Sequence, residues 1–397
     1  MMYTKAFIPY KGYYSTPFCK WQCSLANENS IFFAAQMSKQ WFASRNFDVN
    51  MLDYSIFGNT IGQHHQFYAS PWSAALLGAN SLPAIAVSQA CTTGATCINL
   101  AAMGIESGLY ETPYVLTTDR TSNGPHTIWP NPNGPGGEVI SENWNMDNFN
   151  ADPNTGKKMV ETAENVAREN GFTKEECDEL VLRRYEQYLM ATENNRAFQK
   201  RYMLPAEIKI SKKKTVIVEE DEGIMASTKE GLAALKPTIP GGVLSFGAQT
   251  HPADGNAGII VTTANKAREL SADEKITIQV VAYGYSRERK GYMPAAPVPA
   301  TRMALKNAGL SIKDISVIKT HNPFIVNDLF FSKEMGVDPK SFNNYGSSLI
   351  FGHPQGPTAT RLIIEGIEET VMAGGGYCLW TGCAAGDCGA ALILKIS

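Results

Sequence analysis

No stretch of this chain approaches the roughly 18–20 consecutive apolar residues that a membrane-crossing helix needs, so no membrane association is expected. The opening segment, Met1–Lys20, mixes polar, aromatic and charged residues and lacks the apolar core of a secretory leader. Neither sign of charge dominates: 35 Lys and Arg face 38 Asp and Glu, for a net charge of −3. Attraction to nucleic acid or anionic lipid is therefore not expected from the whole. Cysteine occurs 8 times without a regular framework, which fits a reducing cytoplasm better than an oxidising compartment. With 44% hydrophobic and 18% charged residues, disordered, fibrous and disulfide-stapled classes are excluded. A length of 397 residues implies two or three domains.

What is present is a repeated order of elements. In the first half, Phe32–Phe47 reads as a helix, Asp53–Phe57 and Ala84–Gln89 as strands, and Ile98–Ile105 as part of a small-residue helix ending at Gly108. Tyr114–Thr118 is the next strand. In the second half, the helix Ala300–Asn307 precedes the strand Asp314–Lys319. A turn at Gly352-His353-Pro354, a helix through Leu362 and Val371 and the strand Tyr377–Thr381 then follow. Asp53 lies 38 positions before Cys91, and Asp314 lies 39 before His353. The repeat predicts two α/β halves, with parallel sheets faced by helices.

Residues 121–243 interrupt the pattern. They open with a Pro/Gly/Asn-rich loop and continue with two amphipathic helices, the second entered through Thr173 and Glu176 in capping-box spacing. The expected division is 1–120 with 244–270 as the first half, 121–243 as an insertion, and 271–397 as the second half.

Five residues have the chemistry of a reaction centre. Cys91 lies where a strand gives way to a helix, and unpaired N–H groups there stabilise a thiolate. The alternative is an inert buried cysteine at a tight turn. His353 occupies the matching turn of the second half. Two halves packed face to face would bring it to Cys91, as a neutral imidazole that activates the thiol, although a structural histidine is the alternative. His321 and Asn322 follow a strand end, where open α/β sheets place ligands, and both types donate to oxyanions. They also read as a loop-capping pair. Cys383 lies in a glycine-rich turn after a strand, as a second thiol suited to acid–base, redox or metal chemistry. Neither Cys383-x4-Cys388 nor Cys19-x3-Cys23 has the further ligands of a zinc site, so no metal is expected. His64, His65 and His126 read as loop residues.

Several segments taken together resemble the thiolase family over nearly the whole chain. They are Ser88-Gln89-Ala90-Cys91, Thr162-Ala163-Glu164-Asn165-Val166-Ala167, Leu204-Pro205-Ala206-Glu207-Ile208, Gln249-Thr250-His251-Pro252-Ala253-Asp254-Gly255, the Gly352-His353-Pro354 block, and Cys383-Ala384-Ala385. The resemblance implies a layered αβαβα fold of two pseudo-repeated halves, with mixed, largely parallel sheets and an inserted loop domain. It further implies thiolysis of 3-oxoacyl-CoA or the reverse Claisen condensation. Cys91 would be the acylated nucleophile, His353 its base, and Cys383 the acid–base group at the substrate α-carbon. Backbone N–H groups beside Cys383, that of Ala385 included, would form one oxyanion hole with that of Cys91; His321 and His353 would line the other, with Asn322 adjacent. Thr250, Ala253 and Phe324 fall at CoA-side positions.

The chain departs from the family pattern in three places. His321-Asn322-Pro323-Phe324 replaces Asn-Glu-Ala-Phe and is closer to the His-Asp-Cys-Phe version of the sterol-carrier-type thiolases. Ser347 stands for a glycine, and so does Ala385. Trp129, Trp144 and Phe149 in the insertion suggest a bulky or aromatic acyl group, or else rigid loop packing. Lys212-Lys213-Lys214 reads as a solvated face or as a CoA phosphate contact. CoA is expected as substrate, with no permanently bound cofactor. A homodimer is implied, and some relatives add a small zinc-ribbon/OB-fold partner. Competing readings are a decarboxylating, ketoacyl-synthase-like condensing enzyme using Cys91, His321 and His353, and a non-catalytic acyl-CoA-binding subunit.

Overall fold

A computed structural model describes residues 2–211 and 213–397. Lys212, part of the basic run, lies outside them.

Two mixed sheets form the frame. In the first, Tyr54–Gly58 pairs in parallel with Ala84–Val87 on one side and Pro113–Arg120 on the other. Pro113–Arg120 then pairs antiparallel with Ala253–Ile260, which continues to Tyr13–Ser15. In the second sheet, Ile315–His321 runs parallel to Gly376–Ala384. The latter pairs antiparallel with Cys388–Ile396, which meets Ile278–Arg287. Strand, crossover, parallel strand, antiparallel strand is thus the order in both sheets. Antiparallel neighbours outnumber parallel ones, a correction to the expected sheet character. One cause is the tight turn at Gly386 (φ 84°) and Asp387 (φ 60°), which folds the last two strands into a hairpin.

Two helices, Thr93–Glu106 and Gly356–Met372, fill the layer between the sheets. The second is buried around its whole circumference from Gly356 to Thr370, as a helix covered on two faces by sheets must be. Ser30–Ser44 and Ala69–Leu77 cover the outside of the first sheet, and Pro297–Ala308 the outside of the second. The result is the five-layer αβαβα arrangement. Gly94 marks where the central helices meet: a Cβ there would stand 2.3 Å from Thr360 Oγ1. Only a residue with no side chain permits that approach.

Other details depart from the expected elements. The first long helix is Ser30–Ser44, started by Asn29, whose side chain accepts from the Ile31 and Phe32 N–H groups. The strand expected at Ala84–Gln89 stops at Val87, and a one-turn 3₁₀ segment, Ala90–Thr92, carries the chain into the helix. Cys383 sits within a strand, paired with Gly389, not in a turn beyond it. The loop after Arg120 contains a hairpin, His126–Pro130 against Val139–Asn143, and a short helix, Trp144–Asn150. Lys213 and Lys214 of the basic run lie at a second hairpin, Ala206–Ser211 against Lys214–Val218.

Residues 121–243 are tied to the frame by buried ion pairs. Arg361 of the central helix meets Asp221, with Nη2 2.8 Å from Oδ2. Arg184, on Lys174–Arg196, reaches Asp328 at 2.8 Å. Arg201 reaches Glu368 at 2.7 Å. Arg361, Asp221, Arg184 and Asp328 are all essentially closed to solvent.

Candidate active site

The turn that carries Cys91 is set by local chemistry. Ala90 takes φ 46°, and Thr93 Oγ1 donates to the Ala90 carbonyl at 2.7 Å while accepting from Gln89 N–H at 2.8 Å. Cys91 is thereby held at the entrance of the helix Thr93–Glu106. His353 comes from the opposing turn, which Gly352 (φ 91°) and Gln355 (φ 63°) bend sharply. His321 ends the strand Ile315–His321.

The Cys91 sulfur and one ring nitrogen each of His321 and His353 lie within 4.8 Å of one another. The two imidazoles are 4.1 Å apart between centroids. Each has its Nδ1 held from behind: His321 by Ser348 Oγ at 2.8 Å, His353 by Thr358 Oγ1 at 2.7 Å. Both Nε2 atoms are buried and have no partner among the described residues. Burial pushes His353 down to about 3, and burial together with the neighbouring His353 holds His321 well below the ordinary histidine range. Both rings are therefore neutral at pH 7 and free to take or give one proton at Nε2.

Burial pushes the Cys91 thiol up to about 12, opposed by the backbone N–H groups of Ala385 and of Cys91 itself. Its S–H donates to Gln355 Oε1 at 3.2 Å. At rest the centre is thus an uncharged thiol beside uncharged imidazoles, with N–H groups already aimed at the sulfur. Cys383 is fully buried, and burial with Cys91 nearby raises its thiol far above the usual range. Asn327 Nδ2 donates to its sulfur at 3.2 Å.

A cleft of about 260 Å³ opens onto this group, lined among others by Cys91, Thr250, Phe324, His353 and Ala385. Phe149, Asn150, Lys158, Met159 and Val160 complete its wall. Four expected positions are absent from its wall, His321 and Cys383 because they are fully buried. Ala253 is a buried strand residue beneath Gly352. Asn322 stands behind His321 with its amide fully engaged: Nδ2 on Asp328 and Ser347 at 2.6 and 3.1 Å, Oδ1 accepting from Leu349 N–H at 3.1 Å. It holds Ser348, and through it His321, without lining the cleft. His64 and His65 lie in a loop away from the cleft with rings 3.7 Å apart, and His126 is exposed on the first hairpin. All 8 cysteines are free.

Gln355, Asn327, Thr358 and Ser348 did not emerge from the sequence, although Gln355 directly follows His353-Pro354. Asp119 is a further case. Fully buried, it accepts from Ile61 N–H at 2.8 Å and from Gly356 N–H at 2.8 Å, and burial raises it to about 7. It thereby binds the start of the central helix to the loop after Tyr54–Gly58.

Comparison with known proteins agrees with this geometry. The thiolase N-terminal domain is matched by residues 12–265 and the thiolase C-terminal domain by residues 274–396. An acetyl-CoA acetyltransferase of Syntrophomonas wolfei is 31% identical over 324 residues, covering 79% of each chain. An acetyl-CoA acetyltransferase of Escherichia coli is 28% identical over 385 residues, covering 94% of each. The crystal structure of human mitochondrial 3-ketoacyl-CoA thiolase in complex with CoA superposes with a TM-score of 0.88, at 25% identity, covering 99% of this chain and 98% of that one. With both sheets, the turns between them and nearly every residue from 12 to 396 accounted for, this chain belongs to the thiolase family.

Proposed function

We propose that the chain works through an acyl-Cys91 intermediate, with His353 as the base for Cys91 and Cys383 as the acid–base group at the α-carbon. The reaction class is that of the family: an acyltransferase that cleaves 3-oxoacyl-CoA with CoA, or condenses two acyl-CoA molecules in reverse. The observation that carries the assignment of residues is the convergence of Cys91, His321 and His353 within 4.8 Å, both imidazoles neutral and bare at Nε2.

In the thiolytic direction His353 Nε2 takes the Cys91 proton as the sulfur attacks the ketone carbon. The N–H groups of Ala385 and Cys91 stabilise the charge that develops there. The bond between the ketone carbon and the α-carbon breaks, and the departing thioester enolate is met by His321 and His353. Cys383 gives its proton to the α-carbon, releasing that fragment as its CoA thioester and leaving the shortened acyl group on Cys91. The thiol of CoA then loses its proton to Cys383 and attacks acyl-Cys91, and His353 returns the first proton to the leaving sulfur. Protons and bonds balance over the two halves.

The finer placement belongs to the same proposal. His321, in the position that His occupies in His-Asp-Cys-Phe thiolases, supports the sterol-carrier-type branch. The division at 1–120 with 244–270, 121–243 and 271–397 is supported by the pairing of Pro113–Arg120 with Ala253–Ile260 across the insertion. A homodimer is supported by the open edge of Ala84–Val87, where Ile85 is 44% exposed. A small zinc-ribbon/OB-fold partner, CoA as substrate without a resident cofactor, and a cytoplasmic site with free thiols complete the reading. No described helix is long and apolar enough to cross a membrane.

The test is intact-mass analysis after incubation with acetyl-CoA, together with thiolysis of acetoacetyl-CoA. An acetyl adduct that disappears in Cys91→Ala supports the reading. An adduct that persists there, or its absence from the unsubstituted chain, sinks it. The decarboxylating alternative, favoured by the paired histidines, requires condensation from a malonyl thioester to survive Cys383→Ser.

A further inference from the structure

Gln355 stands at the N-cap of the central helix Gly356–Met372, yet its side chain does not cap it. The Gly356 N–H goes instead to Asp119 Oδ2, at 2.8 Å, on the strand Pro113–Arg120. The Gln355 backbone is held at φ 63° and ψ −104°, a sparsely populated conformation for a residue with a side chain. Its carboxamide turns to the reaction centre, where Oε1 accepts the Cys91 S–H at 3.2 Å. Gln355 is only 6% exposed and lines the catalytic cleft.

The other end of the carboxamide has no partner. No described residue accepts from Nε2, and this atom is not one of the unpartnered polar atoms sealed inside the chain. It is an open donor beside Cys91. The other polar side chains of the cleft wall differ. Thr250 Oγ1 donates to the Ser348 carbonyl, and Gln249 Nε2 to Thr238 Oγ1 and the Ser245 carbonyl, both at 3.2 Å. Asn150 and Lys158 are exposed. Apart from the reacting Cys91 and His353, Gln355 is the one buried residue of the described wall with a free hydrogen-bonding group.

A substrate that fills the cleft displaces water from Nε2, and a buried donor left without an acceptor is costly. The oxygen and nitrogen of one carboxamide are about 2.2 Å apart. Nε2 therefore stands close enough to the Cys91 sulfur to meet an atom two or three bonds along an acyl group attached there. In the mechanism above, the acyl carbonyl oxygen is met by the N–H groups of Ala385 and Cys91, which leaves Nε2 for a second oxygen. We propose that Gln355 is a specificity-determining residue, and that the acyl group it selects carries a hydroxyl on its second or third carbon. The acyl-Cys91 reading supplies the position of that group. A plain acyl chain of the same length would leave the donor bare.

The test compares butyryl-CoA with 2-hydroxybutyryl-CoA and 3-hydroxybutyryl-CoA. Acylation of Cys91 is followed by CoA release and by intact mass on the full chain. One hydroxylated thioester is expected to react about tenfold faster than butyryl-CoA at limiting concentration. Gln355→Met, close in volume and without a donor, should abolish that ratio. Any slowing common to all three thioesters reports the contact with the sulfur and cancels in the ratio. No preference for either hydroxylated thioester, or a preference that survives Gln355→Met, would overturn the proposal. Failure of all three to acylate Cys91 would sink the acyl-Cys91 reading instead. Calorimetric binding of the same thioesters to Cys91→Ser, which keeps an O–H for Gln355 Oε1, then decides. A tenfold preference lost in Cys91→Ser with Gln355→Met would leave the subsite standing, and equal affinities would remove it.

Discussion

Asn327 gives its amide N–H to the sulfur of Cys383 across 3.2 Å, and its own Oδ1 is taken by the Phe324 backbone N–H at 3.3 Å. The second bond decides the first: with Oδ1 engaged, only the NH₂ end faces the thiol. A donor that cannot accept favours thiolate over thiol, which is the form that the proposed proton transfer to the α-carbon would leave on Cys383.

Asn327→Leu should therefore slow proton exchange at the α-carbon by about two orders of magnitude, the low end of an acid–base contribution. Acylation of Cys91 by acetyl-CoA should change far less. Deuterium wash-in to the acetyl-CoA methyl group, set beside intact-mass acylation rates, reads the two separately. Equal losses in both would assign Asn327 a merely structural part.

The neutral His353 makes stability depend on pH. Its value falls from 6.5 in the unfolded chain to about 3 in the folded one. Between those limits the unfolded state binds more protons, so stability is lost as pH falls through this window. His321 acts in the same direction. Asp119, raised from 3.8 to about 7, acts oppositely: its contribution is present below 3.8 and lost as pH rises through about 7. Comparison of Tm against pH for the unsubstituted chain and His353→Asn isolates the histidine. The variant should lose less Tm on acidification; parallel curves would refute the assignment.

Gly94→Ala tests the close crossing of the central helices. The added Cβ would meet Thr360 Oγ1 at 2.3 Å and Thr360 N at 2.8 Å, and the second of these is backbone. Overpacking of this kind costs about 1–3 kcal/mol. Thermal unfolding should register it, and an unchanged Tm would show that the helices separate freely.

The open strand edge has its own test. Ile85→Arg, placed on the exposed face of Ala84–Val87, should shift the sedimentation profile toward monomer if that edge joins two copies. An unaltered profile would move the interface elsewhere.

Much of this centre was visible in the order of residues because it lies at repeated turns. Cys91 follows the strand Ala84–Val87 and His353 the short helix Ser348–Phe351, and the fold brings the two turns together. The residue pattern puts Cys383 in a turn because Tyr377–Thr381 is the most apolar part of its strand; hairpin pairing carries the strand on to Ala384. Asn327, Ser348 and Thr358 were out of reach for another reason. Each is an ordinary polar residue whose role comes from one long-range or cross-turn contact, and no local pattern encodes it. The hairpin at 126–143 has the pattern of a loop because Gly and Pro crowd the stretch between its strands.

The ion pairs that fasten residues 121–243 to the frame have a consequence for ancestry and engineering. Seen along the chain, the segment looks like a module that can be cut out and replaced by a short link between two adjacent strands. Its removal would take Asp221 from Arg361, leaving that guanidinium with Glu365 alone at 3.0 Å, and would take Arg184 from Asp328. Breaking a buried pair from one side costs about 3–5 kcal/mol, and two such losses rival the whole stability of an ordinary domain. A trimmed enzyme therefore needs compensating apolar replacements at Arg361 and Asp328 before it needs a linker.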